Sequence, residues 1–289
     1  MRLAHLSDLH LYAPGALRAK DLLGRRIVGA LNLFLMRKST HLPGVVRAAV
    51  EAVERAGVDH VIVTGDLTNL ALDPEFQLAA GILEPLGGPD RLSLIPGNHD
   101  YYTPESIRAG RFEKWFGPWV WPEGQGEYPA VKDLPGVRLI LARTATQPPP
   151  MCAHGYLGRA QARRIEAKVR EARAAGLFPV LAVHHYLHVQ HNSREITGFL
   201  FDKRRLRRLV ETSGVGMVLH GHDHHPHEME IAGADGLPVP VIGCGSSSIF
   251  APGKGRRGRF HIYDIADGRV TVQRWQVADP GDRFEPLPG

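Results

Sequence analysis

The sequence has few of the features that mark membrane, secreted or zinc-finger proteins. Its 289 residues include only two cysteines, Cys152 and Cys244, too few for a disulfide framework and without the paired spacing of a thiolate zinc site. No apolar run approaches the roughly 18 residues that span a bilayer, which argues against a transmembrane protein. The chain opens with MRLAHLSDLH and lacks the apolar core of a signal peptide, so we expect a cytoplasmic protein.

The chain also lacks internal repeats and long Ser/Gly linkers, and we predict one domain over residues 1–278. Within it, 259–276 predicts a hairpin around an Asp-Gly turn, and 279–289 predicts a loose tail. Segment 18–38 has basic ends and an apolar centre. This pattern fits a buried helix, a lid, or an interfacial helix for a lipid-like substrate.

The charge balance is mildly basic, with 35 Lys and Arg against 30 Asp and Glu and a formal net charge of +5. Basic runs lie within 203–208 and 254–259. Such runs favour anionic partners, but they also occur on solvated helix faces. Because the sequence shows no groove-like interleaving of aromatic and basic residues, we do not expect nucleic acid as a partner.

Short apolar runs rich in Val, Ile and Leu alternate with helical patterns along the chain. The apolar runs predict buried strands over 2–6, 60–64, 92–95, 137–142, 179–183, 215–219 and 239–242. The helical patterns cover 43–56, 74–86, 104–116, 158–175 and 202–212. This alternation predicts an α/β fold with helices on both faces.

Histidine is unusually frequent, with 16 residues against five methionines, and polar clusters follow five of the predicted strands. The clusters are Ser7-Asp8-Leu9-His10, Gly65-Asp66, Gly97-Asn98-His99-Asp100, His184-His185 and 220–225 (HGHDHH). Ligands of open α/β sheets bind beyond the carboxyl ends of the strands, so we expect these distant segments to converge on one crevice. The glycines beside these residues would permit close backbone approach.

The residue types of these clusters indicate a metal site. Carboxylate, amide and imidazole ligands without thiolates suit Mn, Fe, Zn or Co better than a structural tetrathiolate zinc. Asp8 and His10, two apart on an extended segment, point the same way and can share an ion. In the last cluster the same spacing occurs twice, in His220 with His222 and in His222 with His224.

Together the clusters resemble the ordered signature of the calcineurin-like metallophosphoesterase superfamily: Asp-x-His, Gly-Asp, Gly-Asn-His-Asp/Glu, His and Gly-His-x-His. The resemblance runs from residue 3 to about residue 225. Gly221-His222-Asp223-His224 matches the last motif letter for letter, which favours His222 and His224 as the ligand pair. The resemblance implies a four-layer α/β/β/α sandwich in which two mixed sheets are flanked by helices.

The resemblance also implies two divalent or trivalent metal ions. One ion would be held by Asp8, His10, Asp66 and His224, and the other by Asp66, Asn98, His184 and His222, with His185 as the alternative to His184. A hydroxide bridging the two metals would attack the phosphoester, and His99 would contact the phosphate or protonate the leaving oxygen. Asn69 stands where some relatives have an acid that orients this histidine. The substrate-binding or supporting candidates are Asn69, Asp100, His185, His220 and His225.

The segments HLSDLHL, TGDLTN and PGNHD are most similar to the class III cyclic-nucleotide phosphodiesterase branch. This similarity implies a small phosphodiester substrate, with a 3′,5′-cyclic nucleotide as the leading candidate. The alternative is a pyrophosphatase or phosphodiesterase for a lipid-linked or nucleotide-sugar substrate, suggested by segment 18–38, although such relatives usually have Arg at the position of His99. A nuclease or a non-catalytic scaffold ranks lower, and the sequence predicts no oligomeric state.

Overall fold

The computed structural model describes residues 1–13, 15, 17–18, 26–27, 39–124, 126–147, 152–188 and 198–288. The three interpretations of segment 18–38 therefore lie outside the described residues, except at Arg18, Arg26 and Ile27. The buried Arg26 guanidinium donates to the Leu70 carbonyl at 3.2 Å and pairs with Glu105 at 3.0 Å.

The helices begin and end close to where the Pro and Gly signals predict them. They are α1 (Pro43–Arg55), α2 (Asp73–Leu83), α3 (Pro104–Arg108), α4 (Arg111–Val120), α5 (Arg159–Ala174) and α6 (Lys203–Ser213). In α1, Pro43 occupies the first turn, where its missing N–H has no helical partner to lose, and Gly57 follows the end with φ of 63°. None of the helices in the described ranges has the length and apolarity needed to span a bilayer.

The strands form two six-stranded mixed sheets and one short two-stranded ribbon. The first sheet has the order β14-β13-β12-β1-β2-β3, built from β1 (Arg2–Leu6), β2 (His60–Val63), β3 (Leu92–Leu94), β12 (Arg259–Ala266), β13 (Arg269–Val277) and β14 (Phe284–Pro286). The second has the order β4-β5-β6-β7-β9-β8, built from β4 (Ala130–Leu134), β5 (Val137–Leu141), β6 (Phe178–Ala182), β7 (Met217–His220), β8 (Pro226–Ala232) and β9 (Pro238–Cys244). The ribbon pairs β10 (Phe250–Ala251) with β11 (Arg256–Arg257).

Side-chain alternation along the second sheet explains why its strands are apolar on both faces. In β6, Val180 and Ala182 pack into the core shared with the first sheet, whereas Leu181 packs into a separate core with α5 and α6. The same division holds in β7, where Leu219 faces the first sheet and Val218 faces the helices. Successive residues of a strand point to opposite faces, so each run of apolar residues serves two cores.

These packing relations confirm the predicted sandwich of two mixed sheets flanked by helices. Helices α1 to α4 pack on the first sheet, and α5 and α6 pack on the second. In the first sheet β1, β2 and β3 are parallel, and in the second β5, β6, β7 and β9 are parallel. Parallel strands end at one edge, which positions the residues that follow them together.

The predicted helix over 104–116 is two helices rather than one. The chain breaks at Gly110, whose φ of 57° is left-handed and cannot continue a right-handed helix. Strands β4 and β8, which form the two edges of the second sheet, were not predicted from the sequence. Their burial is partial along most of their length, so they lack the continuous apolar run of central strands.

At the C-terminus, β12 and β13 pair along their whole length, and Asp267 and Gly268 form the turn with φ of 52° and 73°. The prediction of a loose tail over 279–289 is wrong for Phe284–Pro286, which pairs with β13 as an edge strand. The reason is a buried apolar contact, because the Phe284 ring lies 5.2 Å from the Phe260 ring.

Candidate dinuclear metal site

The loops that follow β1, β2, β6 and β7 are joined directly through their backbones. The Asp8 and His10 amides donate to the carbonyls of Gly65 and Asp66, at 3.0 and 2.9 Å. In the second sheet, the Gly221 amide donates to the His184 carbonyl at 3.0 Å. Within each sheet the polar clusters therefore meet at one edge, as the parallel strand order requires, and the His222 amide links the two sheets by donating to the Asp8 carboxylate at 3.0 Å.

A first group of four side chains, Asp8, His10, Asp66 and His224, brings one ligand atom from each to within 4.8 Å of the others. His10 Nε2 lies 2.8 Å from His224 Nε2 and 3.5 Å from Asp66 Oδ2. His224 Nε2 lies 3.5 Å from Asp8 Oδ1, and the His224 side chain is 6% exposed. Two carboxylates and two imidazoles thus converge on one point, as a cation site requires.

A second group contains Asp66, His184 and His222, again with ligand atoms within 4.8 Å of one another. His184 Nε2 lies 3.5 Å from Asp66 Oδ1 and 3.2 Å from His222 Nδ1. The Asn98 side-chain oxygen lies 3.1 Å from His184 Nε2, so an amide ligand adjoins the group. Asp66 belongs to both groups, and its two oxygens face different histidines.

The His184 ring is oriented for ligation by a backbone contact. His184 Nδ1 lies 2.7 Å from the Thr64 carbonyl, which can only accept, so the hydrogen is on Nδ1. Nε2 is then the nitrogen that faces Asp66 and Asn98, and it can bind a cation once it has lost its proton. Metal-binding histidines are commonly fixed in this way, and the donor set of carboxylate, amide and imidazole fits two cations of the Mn, Fe, Zn or Co type.

The backbone is strained at most of these positions. Of the seven described non-glycine residues with positive φ, five belong to the two groups: Asp8 (53°), His10 (45°), Asp66 (56°), His222 (74°) and His224 (62°). Residues other than glycine adopt a positive φ at a cost of about 1–3 kcal/mol each. Such a concentration is typical of functional sites, because selection for packing alone would remove it.

Three glycines allow the loops to approach this closely. A Cβ on Gly97 would overlap the Asp66 carboxylate, and a Cβ on Gly221 would lie 2.7 Å from Asp8 Oδ2. A Cβ on Gly65 would lie 2.8 Å from His184 Nδ1. Any larger residue at these positions would displace a candidate ligand, which explains the glycine in three of the five polar clusters.

The pKa values of the acids and histidines in the site depend on one another and on burial. Burial alone would raise the pKa of Asp66, but His184 and then His99 lower it well below its ordinary value. Burial alone would lower the pKa of His184, but Asp66 raises it to about 9. Burial raises the pKa of Asp8 to about 7. A cation bound between Asp66 and His184 would replace the proton that the pair otherwise shares.

His99 lies beside the first group without joining it. Its ring is 4.9 Å from the His10 ring and stacks on Tyr102 at 5.3 Å. His99 Nδ1 lies 2.7 Å from the Asn69 carbonyl, so Nδ1 carries the hydrogen. The Asn69 side chain donates instead to the His10 carbonyl. The backbone of residue 69 therefore orients His99, although the side chain there is an amide.

Asp100 fastens the loops that follow β2 and β3 to each other. Its carboxylate accepts from the amides of Leu67, Thr68 and Gly97 at 3.3, 3.0 and 2.9 Å, and from the Thr68 hydroxyl at 3.0 Å. Burial, and then the charge of Asp66, raises the pKa of Asp100 to about 7 despite these donors. This residue supports the ligand loops and belongs to neither group.

Three further predicted histidines lie outside both groups. His185 Nε2 donates to the Ala153 carbonyl at 2.9 Å, and its Nδ1 accepts from the Thr144 hydroxyl at 2.9 Å, which leaves no nitrogen for a metal. His220 ends β7 and is buried, with Nδ1 at 3.2 Å from the Gly221 carbonyl. His225 is exposed.

One histidine of the site was missed by sequence reasoning. The buried His41 ring lies 4.8 Å from the His10 ring and 5.3 Å from the His224 ring. Its Nδ1 lies 2.7 Å from Ser248 Oγ. No motif marks this histidine, since it precedes a helix rather than following a strand, and only the pairing of residue 41 with Ile249 brings it to the site.

The Ser246-Ser247-Ser248 segment supports the strained backbone at Asp8. The hydroxyls of Ser246 and Ser248 both donate to the Asp8 carbonyl, at 2.7 and 3.0 Å. Because the Ser248 hydroxyl donates there, it accepts from His41, which places the ring hydrogen on Nδ1 of that histidine. Sequence reasoning missed these serines too, because a serine run carries no metal-ligand signal.

A model of the calcineurin-like phosphoesterase family matches residues 1–226. Solved structures with similar folds include a dimetal phosphatase from Danio rerio (13% identity, TM-score 0.60, covering 99% of this chain and 98% of that one). They also include a purple acid phosphatase from yellow lupin, Lupinus luteus (12% identity, TM-score 0.63, covering 95% of this chain and 51% of that one). At these identities the structural similarity establishes a shared fold. A comparison with curated protein sequences finds no match.

A 5′-nucleotidase precursor from Thermus thermophilus is also similar in fold (14% identity, TM-score 0.51, covering 95% of this chain and 53% of that one). This chain spans about half the length of the lupin and Thermus proteins. The family match covers most of the chain and includes the five polar clusters. The chain therefore belongs to the calcineurin-like phosphoesterase family, and it is a metal-dependent phosphoric ester hydrolase.

Proposed function

We propose that the protein hydrolyses a phosphodiester at a dinuclear metal centre, with a 3′,5′-cyclic nucleotide as the leading substrate. The observation that carries this proposal is the division of the Asp66 carboxylate between two ligand groups. Its Oδ2 lies 3.5 Å from His10, and its Oδ1 lies 3.5 Å from His184. One carboxylate with an oxygen toward each group is the arrangement that a bridging ligand needs.

The proposed ligands divide as the two groups do. Asp8, His10, Asp66 and His224 would hold one cation, and Asp66, Asn98, His184 and His222 the other. When bound, such a pair polarises phosphoryl oxygens and lowers the pKa of a shared water, so that a nucleophile is available near neutral pH. Asp66 would thus have a catalytic role as well as a binding one, because it would contact both cations.

His99 is proposed to act on the leaving oxygen. Its Nδ1–H is held by the Asn69 carbonyl, and stacking on Tyr102 limits rotation of the ring. The ring can then present Nε2 to a phosphoester bound beside His10 and carry a proton to the departing oxygen. General acid catalysis of this kind contributes about 10²–10⁴ in rate.

His41 is proposed to contact the substrate from the other side of His10. Both the His41 and the His99 ring meet the His10 ring edge-on, at 4.8 and 4.9 Å. A phosphoester bound at the first group would therefore lie between two histidines that are not ligands. Asp100, Asn69 and His185 are proposed to position the ligand loops, with His220 and His225 left without a direct role.

The test is hydrolysis by protein reconstituted with Mn, Fe, Co or Zn. We expect turnover of bis-p-nitrophenyl phosphate to exceed turnover of p-nitrophenyl phosphate, and cyclic AMP to be opened to a 5′ or 3′ monophosphate. Faster hydrolysis of the monoester would instead favour a phosphatase, the activity named for the Danio and lupin proteins. Absence of turnover of both esters with every metal would contradict the proposal.

A further inference from the structure

A basic groove lies between α5 and α6 on the outer face of the second sheet. It has a volume of about 640 Å³, and its charged lining consists of Arg159, Arg163, Glu166, Arg204, Arg205 and Arg208. Five arginines against one glutamate give an excess of four positive charges in the groove. The whole chain has a formal net charge of only +5, so much of its basic character is concentrated there.

Most of these arginines have no acidic partner. Within the described part of the chain, no ion pair involves Arg159, Arg163, Arg204 or Arg208, and all four are exposed. Arg205 is the exception, since its guanidinium lies 3.1 Å from Asp202. A solvated helix face commonly pairs its charges along the helix, as Arg207 and Glu211 do on α6 at 2.9 Å.

The arginines do not stabilise their own helices. Neither α5 nor α6 has an acidic residue in its first turn, where Arg159 and Arg204 lie instead. Positive charge at a helix N-terminus opposes the helix dipole. The nearest acid is Asp202, whose carboxylate accepts from the amides of Leu157 and Gly158, the two residues before α5, at 2.9 and 3.0 Å. The arginines at these helix starts therefore need an explanation other than helix stability.

Exposed aromatic rings adjoin the basic groove. Phe201 is 64% exposed, and it shares a surface pocket with Arg204, which also lines the groove. Tyr156 is 49% exposed and packs near Gly158, at the start of α5. The fold thus places one exposed ring beside Arg204 of α6 and another at the start of α5.

We propose that the groove between α5 and α6 binds single-stranded nucleic acid. The arginines would contact successive phosphates, and the rings of Phe201 and Tyr156 would stack on bases, the combination that nonspecific single-strand binding uses. The apolar face of α6, formed by Leu206, Leu209 and Val210, is buried against the second sheet, so this helix offers no apolar face to a bilayer. A concave groove also fits a strand better than a planar membrane.

Fluorescence anisotropy with labelled oligothymidylate tests the proposal, in a chelating buffer that prevents hydrolysis. We compare Arg163→Glu/Arg208→Glu with the matched control Arg47→Glu/Arg170→Glu, which reverses two exposed arginines outside the groove. The groove variant should bind at least about tenfold more weakly. Its plot of log affinity against log salt should be shallower by about 1.4, since each phosphate contact contributes about 0.7.

Phe201→Ser separates stacking from charge. It should weaken binding by about 5-fold to 100-fold while leaving the salt dependence unchanged. Equal losses in the groove and control variants would overturn the proposal, as would absence of binding at low salt. Binding to phosphatidylglycerol vesicles without binding to the oligonucleotide would also overturn it and assign the face to membranes. Because the assay needs no metal, its failure would not affect the proposed hydrolysis.

Discussion

The two halves of the candidate metal site differ in the chemistry that each sheet supplies. The first sheet provides both carboxylates and the amide with a single imidazole, in Asp8, Asp66, Asn98 and His10. The second sheet provides only imidazoles, in His184, His222 and His224. Each of the two ligand groups takes side chains from both sheets, so the site depends on the packing of the two sheets against each other.

The residues that support the two halves differ in the same way. The first sheet is supported by buried acids, and burial raises the pKa of Asp100 to about 7 and of Glu75 to about 8. The second sheet is supported by buried imidazoles, and burial lowers the pKa of both His185 and His220 to about 3. Burial favours the neutral form of each of these supporting groups.

The largest effect is expected from Asp66→Ala, which removes the side chain that joins the halves. Loss of several kcal/mol of charge stabilisation should lower kcat/KM by about 10³-fold or more. Metal analysis should find fewer than two ions per chain. Asp264→Ala, at an exposed carboxylate of β12, is the control and should keep both ions and activity. Two ions and full activity in Asp66→Ala would disprove the bridging role.

His99→Ala tests whether one residue of the first half acts without binding metal. We expect turnover to fall by about 10²-fold or more, because general acid catalysis is lost, while both ions remain bound. The neighbouring change Asn98→Ala, on the same loop, should instead weaken binding of one ion. If His99→Ala lost metal as Asn98→Ala does, its role would be ligation or support rather than proton transfer.

The pH dependence of metal binding tests the link between the halves. His184 must lose its proton to bind a cation, and Asp66 raises the pKa of His184 to about 9. Affinity at the second group should therefore fall about tenfold between pH 8 and pH 7, measured by calorimetric titration. This dependence of metal affinity on pH should disappear in His184→Asn. An affinity that does not change over this interval in the unmodified protein would show that the histidine is already neutral.

The smallest effect is expected at Glu75, whose Oε2 accepts from the amides of Leu70 and Leu72 at 2.8 and 3.3 Å. Burial raises the pKa of Glu75 from 4.5 to about 8, so the native state holds a proton that the unfolded state releases between these values. Stability from this group is therefore present below about pH 4.5 and is lost as pH rises toward 8.

Glu75→Gln removes this titration. As pH rises from 5 to 9, the Tm of Glu75→Gln should increase relative to the Tm of the unmodified protein. The increase should be about 2–4 °C for each kcal/mol of stability that the unmodified protein loses over this range. Glu51→Gln, at an exposed glutamate of α1, is the control and should show no such change. A Glu75→Gln difference that is constant across pH would contradict a raised pKa.

The ligand candidates could be predicted because each lies directly after a strand or within a short motif. Asp8, Asp66 and His184 follow apolar runs, and parallel strands bring such positions to one edge. The alternation of apolar runs and helical patterns predicts an α/β fold. The arrangement of its strands in two sheets could be predicted only from the resemblance to the family. The single-domain organisation over 1–278 stays a prediction.

What sequence reasoning missed depends on contacts between distant segments. His41 reaches the site only through pairing with Ile249, and β14 forms only because Phe284 finds Phe260. The basic groove is a third case. Nucleic acid was not expected because aromatic and basic residues are not interleaved in sequence, yet the fold sets Phe201 beside Arg204 and Tyr156 at the start of α5.

The contacts of Asp202 have a consequence for how the groove can change. This one carboxylate binds the amides of the two residues that precede α5, and Asp202 itself immediately precedes α6, so it links two helix starts that are far apart in the chain. The spacing of the groove walls at this end is therefore set by the backbone pairing of Gly155 with Leu200 together with the side chain of Asp202. Replacing that residue offers a way to widen or narrow the entrance by design while leaving the metal ligands in place.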